Sequence, residues 1–221
     1  MTKSLAWKTL GWQWLLACVA AKLLQILLDG LAGWLVSTTG SGGSTVENSI
    51  FLLILIVFRL ISGALGGAAQ WLVLKSWLPS MQSWVLATSL GSAIAFFISN
   101  RLGSATRIPP PEGIMGDLWP SVSVLPPFIF GGIVGLVLGI AQWLVFRTKL
   151  PQAQWWIPLS SLGMLGEAIV VGALQSAIGP QGIDVSVSAF NPVYWAIAAI
   201  SVVVYAALTG GFLVRCLRQR S

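Results

Sequence analysis

The sequence predicts an all-α, membrane-spanning helical bundle of about six transmembrane helices, forming a single integral membrane domain over residues 1–221. Composition is the first reason: only 8% of the residues are charged and 56% are hydrophobic, whereas a soluble globular domain carries about 25% charged residues. Length is the second reason, because each of six apolar stretches can cross a hydrocarbon core of about 30 Å as a helix rising about 1.5 Å per residue. The third is an internal duplication of a two-helix hairpin.

The apolar stretches follow one another along the whole chain. They are Leu10–Leu28 with an extension to Val36, Ile50–Leu74, Trp77–Ser99, Pro126–Phe146, Trp155–Ile178 and Pro192–Val214. Lipid cannot satisfy backbone hydrogen bonds, so we expect helices, and the stretches are too long for barrel strands of about 9–11 residues. The first stretch resembles a signal peptide, but its apolar character continues past Cys18. We therefore expect it to be retained as a helix.

The basic residues predict the orientation of the bundle. With six spans, one side of the membrane receives most of the lysines and arginines outside the spans, namely Lys3, Lys8, Lys75, Arg147, Lys149, Arg215, Arg218 and Arg220. The other side receives Arg101 and Arg107. Because lysine and arginine are enriched in cytoplasmic loops, the sequence predicts cytoplasmic N and C termini.

Two segments of the chain repeat each other. Gly63–Ser92 and Gly135–Met164 align without gaps, and the repeat units extend over about residues 63–99 and 135–171. The matched positions include Gly63/Gly135, Gly67/Gly139, Gln70/Gln142, Trp71/Trp143, Pro79/Pro151, Trp84/Trp156 and Gly91/Gly163. Each unit predicts a helical hairpin. An even number of spans separates the copies, so we expect parallel hairpins related by a pseudo-two-fold axis along the membrane normal.

Polar and aromatic side chains inside the repeat are candidate site residues. Gln70 and Gln142 need hydrogen-bond partners in an apolar setting. They either bond across the axis or cap a neighbouring turn, or they line a ligand or solute site. The repeat also supplies candidate tryptophans, which are Trp71, Trp84, Trp143, Trp155 and Trp156. These either anchor the bundle at the lipid headgroups or form an aromatic pocket for a planar or lipid-like ligand.

Three ionisable residues lie inside apolar stretches: Lys22, Arg59 and Glu167. A charge facing lipid is costly, so each should point into the bundle. Arg59 and Glu167 lie at similar depths when counted from the ends of their own helices, and we therefore predict that they form an ion pair. Such residues either brace two helices or line a polar pathway, and the sequence leaves both interpretations open.

Several function classes are disfavoured. The chain has no histidine, which removes histidine-ligated haem, the usual zinc sites and histidine-dependent catalytic triads. Its two cysteines form no CxxC pair, and no phosphate-binding loop is present. We therefore expect a non-enzyme with no cofactor and no metal. The net charge of +6 lies at the ends of apolar stretches, so it indicates membrane orientation and not nucleic-acid binding.

The block Gly-x-x-Gln-Trp-Leu-Val-Leu/Phe-Lys/Arg occurs twice, around Ala69–Lys75 and Ala141–Arg147. It resembles repeats in small hydrophobic membrane proteins that are common in cyanobacteria and related bacteria. The resemblance covers about Gly63–Ser99 and Gly132–Ile178. It implies a multi-pass protein of a bacterial inner membrane or thylakoid, and it supplies no catalytic residues.

The first functional hypothesis is an accessory or assembly role. In it, a non-enzymatic membrane protein packs against membrane lipids, against partner proteins of a membrane complex, or against a pigment-like hydrophobic ligand. The alternative is a small-solute transporter or channel whose path is lined by Arg59, Glu167, Gln70 and Gln142. A water-filled tunnel that reaches these residues would favour the alternative, whereas a dry, fully packed bundle with an apolar groove would favour the first hypothesis. A lipid-handling enzyme is a third and weaker option.

Overall fold

The chain is described by a computed structural model, which covers residues 3–38, 45–78, 80–105, 125–178 and 192–220. Six long helices account for most of these residues, and the described part of the chain contains no strand. They are α1 (Lys3–Thr38), α2 (Thr45–Leu74), α3 (Ser83–Ala105), α4 (Leu125–Phe146), α5 (Trp156–Ile178) and α6 (Pro192–Arg220). All six are long and apolar enough to cross a membrane, so the predicted fold class is confirmed.

One predicted boundary is wrong. The third apolar stretch was expected to become helical at Trp77, but α3 begins at Ser83. The Leu78 amide donates to the Leu74 carbonyl at 2.7 Å, and the Trp84 amide donates to the Met81 carbonyl at 3.0 Å. These bonds close turns between α2 and α3. The predicted boundary was wrong because hydropathy cannot distinguish an apolar turn from an apolar helix. Pro79 lies outside the described residues.

The helices form a closed ring. Each packs against the next along the chain, and α6 returns to pack against α1. Ring neighbours run antiparallel. For example, Gly63 faces Ser92 while Gly67 faces Thr88 across the α2–α3 contact. One end of the bundle therefore carries both hairpin turns, the start of α1 and the end of α6. We call it the turn end, and we call the opposite end the loop end.

Glycines allow the hairpin helices to approach closely. A Cβ atom at Gly63 would lie 2.8 Å from the Ser89 Cα. At Gly135, the equivalent position of the second hairpin, it would lie 2.5 Å from the Ser160 carbonyl oxygen. No real side chain fits at these distances. Small residues at helix contacts are the usual device for close packing in lipid, where hydrophobicity does not hold helices together.

The ring revises the expected symmetry. The Ser89 hydroxyl donates to the Leu60 carbonyl at 2.8 Å, and the Ser161 hydroxyl donates to the Gly132 carbonyl at 2.9 Å. The same contact thus recurs two helices further along the ring. Two steps in a ring of six amount to a third of a turn, so the expected two-fold axis is wrong for this arrangement. The remaining pair of ring neighbours consists of α6 and α1.

The outward faces of the helices are apolar. Leu53, Leu72, Ile94 and Leu162 are examples, each between 51% and 60% exposed. Water would disfavour such a surface, whereas hydrocarbon accommodates it. The largest cluster of buried apolar side chains lies towards the turn end, around Trp14, Trp84, Trp156 and Phe146. The bundle is therefore filled by side chains at the turn end, and the cavity described below lies between this core and the loop end.

Candidate functional site

Three tryptophans from alternate helices meet near the centre of the ring. Trp14 of α1, Trp84 of α3 and Trp156 of α5 are fully buried. Their ring centroids lie between 5.7 and 6.3 Å apart in edge-to-face geometry, which suits the quadrupoles of aromatic rings. Phe146 packs at 4.6 Å from Trp84 and 4.8 Å from Trp156. We call Trp14, Trp84, Phe146 and Trp156 the aromatic layer.

Each of these indoles donates its N–H to a polar side chain on the preceding helix of the ring. Trp84 donates to Gln70 Oε1 at 3.1 Å, and Trp156 donates to Gln142 Oε1 at 2.9 Å. Trp14 donates to Thr209 Oγ1 at 3.0 Å, on α6. The three bonds satisfy buried donors that lipid could not. They also fix the orientation of every indole in the layer.

The glutamines make a second bond with their amide nitrogens. Gln142 Nε2 donates to Thr88 Oγ1 at 3.2 Å, which joins the second hairpin to the first. Gln70 Nε2 donates to Cys18 Sγ at 3.6 Å, on α1. Gln142 therefore makes the expected bond between hairpins, but its partner is a threonine and not the matching glutamine. Both glutamines also line the central cavity.

Of the two alternatives considered for the repeated tryptophans, the headgroup position does not fit Trp84 and Trp156. Both are fully buried, because a glutamine fourteen residues earlier in the same hairpin accepts each indole N–H. Trp155 is 56% exposed near the turn end, where an interface residue would lie.

Trp71 and Trp143 lie between these extremes, since both are half-buried at the turn end of their helices. The Lys75 ammonium lies 5.4 Å from the Trp71 ring centroid, and the Arg147 guanidinium lies 5.7 Å from that of Trp143. A cation over an indole face is a favourable electrostatic contact. These contacts place a cation over an indole at the turn end of both α2 and α4.

A cavity of about 440 Å³ occupies the ring on the loop-end side of the aromatic layer. All six helices contribute to its wall. Its lining begins, nearest the turn end, with Cys18, Gln70, Thr88, Gln142 and Tyr205. It extends towards the loop end as far as Ser99, Phe130 and Gly172. Small-molecule sites in proteins usually enclose about 300–1,000 Å³, so this volume suits a small ligand.

The charged residues in the cavity pair differently from the prediction. The Lys22 ammonium forms an ion pair with Glu167, and Arg59 pairs with Asp29 at 3.1 Å. The predicted pair between Arg59 and Glu167 is therefore wrong. Equal depth does not bring two side chains together. Arg59 meets Asp29 because α1 and α2 are ring neighbours, while Lys22 can reach inward to Glu167.

The ion pair between Lys22 and Glu167 crosses the cavity. Lys22 lies on α1 and Glu167 lies on α5, and α6 stands between these helices in the ring. Both residues line the cavity, and their side chains are 21% and 8% exposed. Arg59 also lines the cavity, and its guanidinium lies 5.1 Å from the Phe96 ring centroid. The cavity wall therefore presents two cations and one carboxylate.

Among the described residues, two hydroxyl groups of the wall meet no partner at good hydrogen-bond geometry. Tyr205 and Ser99 both line the cavity, and neither hydroxyl makes a hydrogen bond within the described part of the chain. The Tyr205 side chain is 2% exposed and lies close to Gln142 and Ser160. A buried hydroxyl without a partner is costly, so these groups are available to a bound molecule or to water.

Several site residues were absent from the prediction. Trp14 belongs to the aromatic layer, and Thr209 accepts its indole N–H. Cys18, Thr88 and Tyr205 line the cavity next to this layer. A signal for some of them exists in the sequence. Trp14 and Cys18 are four residues apart, as are Tyr205 and Thr209, so each pair occupies one helix face. Polar or amphipathic residues repeated on one face of an apolar helix indicate the side that points inward.

Neither a metal centre nor a known relative identifies the site. Within the residues that the structure describes, no group of histidine, cysteine, aspartate and glutamate side chains could hold a metal ion. No known protein family, curated protein or solved structure matches the chain. The function must therefore be inferred from the geometry of the cavity.

Proposed function

We propose that this multi-pass membrane protein is a non-enzymatic carrier that binds a small solute in its central cavity. The observation that carries the proposal is one cavity, lined by all six helices, that holds Lys22, Arg59 and Glu167 together with Gln70 and Gln142. Ionised and amide groups inside a bundle usually mark a substrate or ion pathway. Because every helix lines the cavity, a bound solute lies against several helices at once.

The aromatic layer serves as the barrier on one side of the membrane in this proposal. It closes the ring between the cavity and the turn end with fully buried side chains. Trp84 and Trp156 hold glutamines that also face the cavity. A solute that displaces an indole from Gln70 or Gln142 would couple occupancy of the cavity to the packing of the barrier. A ligand shifts a conformational equilibrium only through such differential contacts.

We further propose that the turn end faces the cytoplasm of a bacterial inner membrane or a thylakoid. Lys75, Arg147, Arg215 and Arg218 are exposed at that end, which agrees with the preference of basic residues for the cytoplasmic side. The cavity then lies on the outer side of the aromatic layer, and both termini are cytoplasmic. The two hairpins are proposed to have arisen by duplication, supported by their matching sequences and recurrent contacts.

A hydrophobic-ligand role is the second candidate, and the apolar part of the cavity wall favours it. Phe130, Val134, Leu138 and Met164 line the cavity beside the charged groups. In this role the protein would hold a lipid-like or pigment-like molecule and support a membrane complex. Native mass spectrometry of the protein purified in mild detergent distinguishes the two, because a retained hydrophobic molecule would remain bound while an exchanging solute would be lost.

Cysteine labelling tests the carrier proposal. In a background with both native cysteines replaced by serine, Ser92→Cys and Ser99→Cys place a thiol in the cavity wall, on α3. Ile94→Cys on the same helix is the matched control, because Ile94 is 51% exposed on the outer surface and would face lipid. We expect a charged, membrane-impermeant methanethiosulfonate added to intact cells to modify both wall positions and spare the control. Absence of reaction at both wall positions, from either side of the membrane, contradicts the proposal.

A further inference from the structure

The geometry of the cavity points to its ligand class: we propose that it binds a small zwitterion, with an ammonium group beside Glu167 and a carboxylate beside Lys22 and Arg59. This inference rests on the proposed function, since it names the solute that the cavity would take. The starting observation is that the Lys22–Glu167 ion pair spans the cavity between helices that are not neighbours in the ring.

The position of this pair separates it from an ordinary brace between helices. Adjacent helices of the ring are already held by close glycine contacts, such as those of Gly63 and Gly135. Lys22 instead extends across the space that a ligand would fill, and both members of the pair belong to the cavity wall. A molecule that enters the cavity at this depth must therefore either avoid the pair or replace each partner.

Replacement selects strongly for charge. A molecule with one charge can satisfy only one member of the pair and leaves the other ionised in a largely apolar wall, which is unfavourable. A zwitterion supplies both missing partners at once. Its carboxylate takes the place of Glu167 at the ammonium of Lys22, and its ammonium takes the place of Lys22 at the carboxylate of Glu167. The number of charge contacts is then conserved or increased.

The rest of the wall fixes the orientation and shape of the ligand. Arg59 stands in the same cavity, held by Asp29 at 3.1 Å, so the carboxylate of the ligand is attracted to the side with the two cations. The apolar wall near Phe96, Val134 and Leu138 suits an apolar body. The Tyr205 hydroxyl, which lies close to Ser160 and Gln142, provides a further hydrogen-bonding group next to the aromatic layer.

Equilibrium binding with matched probes tests the proposal. Purified protein at pH 7 is titrated calorimetrically with L-phenylalanine, L-leucine, L-proline and glycine betaine. 3-Phenylpropanoate and 2-phenylethylamine are the analogues of L-phenylalanine that lack the ammonium and the carboxylate, and matched analogues are made for any other zwitterion that binds. We expect at least one zwitterion to bind with a Kd of about 1 mM or tighter, and its single-charge analogues to bind at least about tenfold more weakly. A tenfold ratio corresponds to about 1.4 kcal/mol.

Variants distinguish recognition from bracing. Glu167→Gln leaves Lys22 without its partner carboxylate, so this variant should bind the anionic analogue more tightly than the wild type does. Lys22→Met should likewise favour the cationic analogue. The double variant Lys22→Met/Glu167→Met should fold, because apolar replacement of a buried pair is often tolerated, and it should bind none of the zwitterions. Arg101→Gln is the control, because Arg101 is exposed and lies outside the cavity wall, and it should bind as the wild type does.

The outcomes separate this inference from the proposed function. If the wall cysteines are modified from outside but no zwitterion binds to the wild type, the cavity is a solute site and the ligand class is wrong. Equal binding of zwitterions and single-charge analogues overturns the ligand class as well. If the wall cysteines cannot be modified at all, the carrier proposal and this inference both fall. A reversal of charge preference in the two single variants supports recognition, since a brace without contact to ligand cannot produce it.

Discussion

Two adjacent glycines near the turn end of α6 should respond differently to the same substitution. A Cβ atom at Gly210 would lie 2.7 Å from Cδ1 of Trp14, whereas a Cβ atom at Gly211 meets nothing within 4 Å. Both glycines lie within one helix, so helix propensity changes equally in the two variants. The difference between Gly210→Ala and Gly211→Ala therefore isolates the packing of Trp14.

The size of the effect follows from how Trp14 is held. Carbon atoms pack best at about 3.5–4.0 Å, so alanine at 210 must displace the indole by about 0.8 Å. Trp14 is fully buried between Trp84 and Trp156, and overpacking of such a site usually costs about 1–3 kcal/mol. Displacement also weakens the Trp14–Thr209 hydrogen bond, worth about 0.6 kcal/mol in a membrane protein. We expect Gly210→Ala to lose about 2–3 kcal/mol.

Thermal unfolding measures this difference. Purified wild type and both variants are heated in the same detergent at a fixed rate, and the midpoint is taken from the loss of monodisperse protein. A loss of 2–3 kcal/mol should lower the midpoint of Gly210→Ala by about 4–12 °C for a chain of this size, while Gly211→Ala stays within about 2 °C of the wild type. Equal midpoints for the two variants would refute the packing of Trp14 against α6.

Two further predictions use the same measurement. Gly135→Ala should lose about 1–3 kcal/mol, because its Cβ atom would lie 2.5 Å from the Ser160 backbone oxygen, whereas Gly33→Ala, with nothing within 4 Å, should be neutral; equal midpoints would argue against close α4–α5 packing. Trp84→Phe removes the donor to Gln70 and should lose about 1–3 kcal/mol, with partial recovery in the double variant with Gln70→Leu. A double variant no more stable than Trp84→Phe alone would show that the hydrogen bond is not the cause.

The number and type of helices could be predicted because lipid leaves few choices. A long apolar stretch in hydrocarbon must satisfy its backbone internally, and all six stretches became helices. The start of α3 could not be placed in the same way. Trp77 and Leu78 continue the apolar composition of α2, yet they lie in the turn that precedes Ser83. Hydropathy reports the environment of a residue and not its backbone conformation.

The pairing of charges shows what one sequence leaves undetermined. Counting residues from the helix ends gives the depth of Arg59 and Glu167, but it does not give the direction in which each side chain points around its helix axis. The ring order supplies that direction, and it brings Asp29 to Arg59 and Lys22 to Glu167. The sequence therefore singled out the three ionisable residues that line the cavity, but it did not give their contacts.

The burial of the repeated tryptophans could have been anticipated. Indole is suited both to the headgroup region and to a core that offers an acceptor, so composition alone did not decide between them. The decisive clue is the spacing, since Trp84 follows Gln70 by fourteen residues and Trp156 follows Gln142 by the same number. A buried acceptor and a donor that recur together in two hairpins indicate a hydrogen bond inside the hairpin.

Double-mutant cycles on the cavity charges test most directly whether six helices enclose a cavity crossed by Lys22 and Glu167. The free energies of unfolding are compared for Lys22→Met, Glu167→Gln and their double variant, and for Arg59→Met, Glu167→Gln and theirs. The ring predicts a coupling of about 1–3 kcal/mol for Lys22 with Glu167, and additivity within about 0.5 kcal/mol for Arg59 with Glu167. Additive losses for the first pair together with coupling in the second would contradict the arrangement of helices on which the cavity depends.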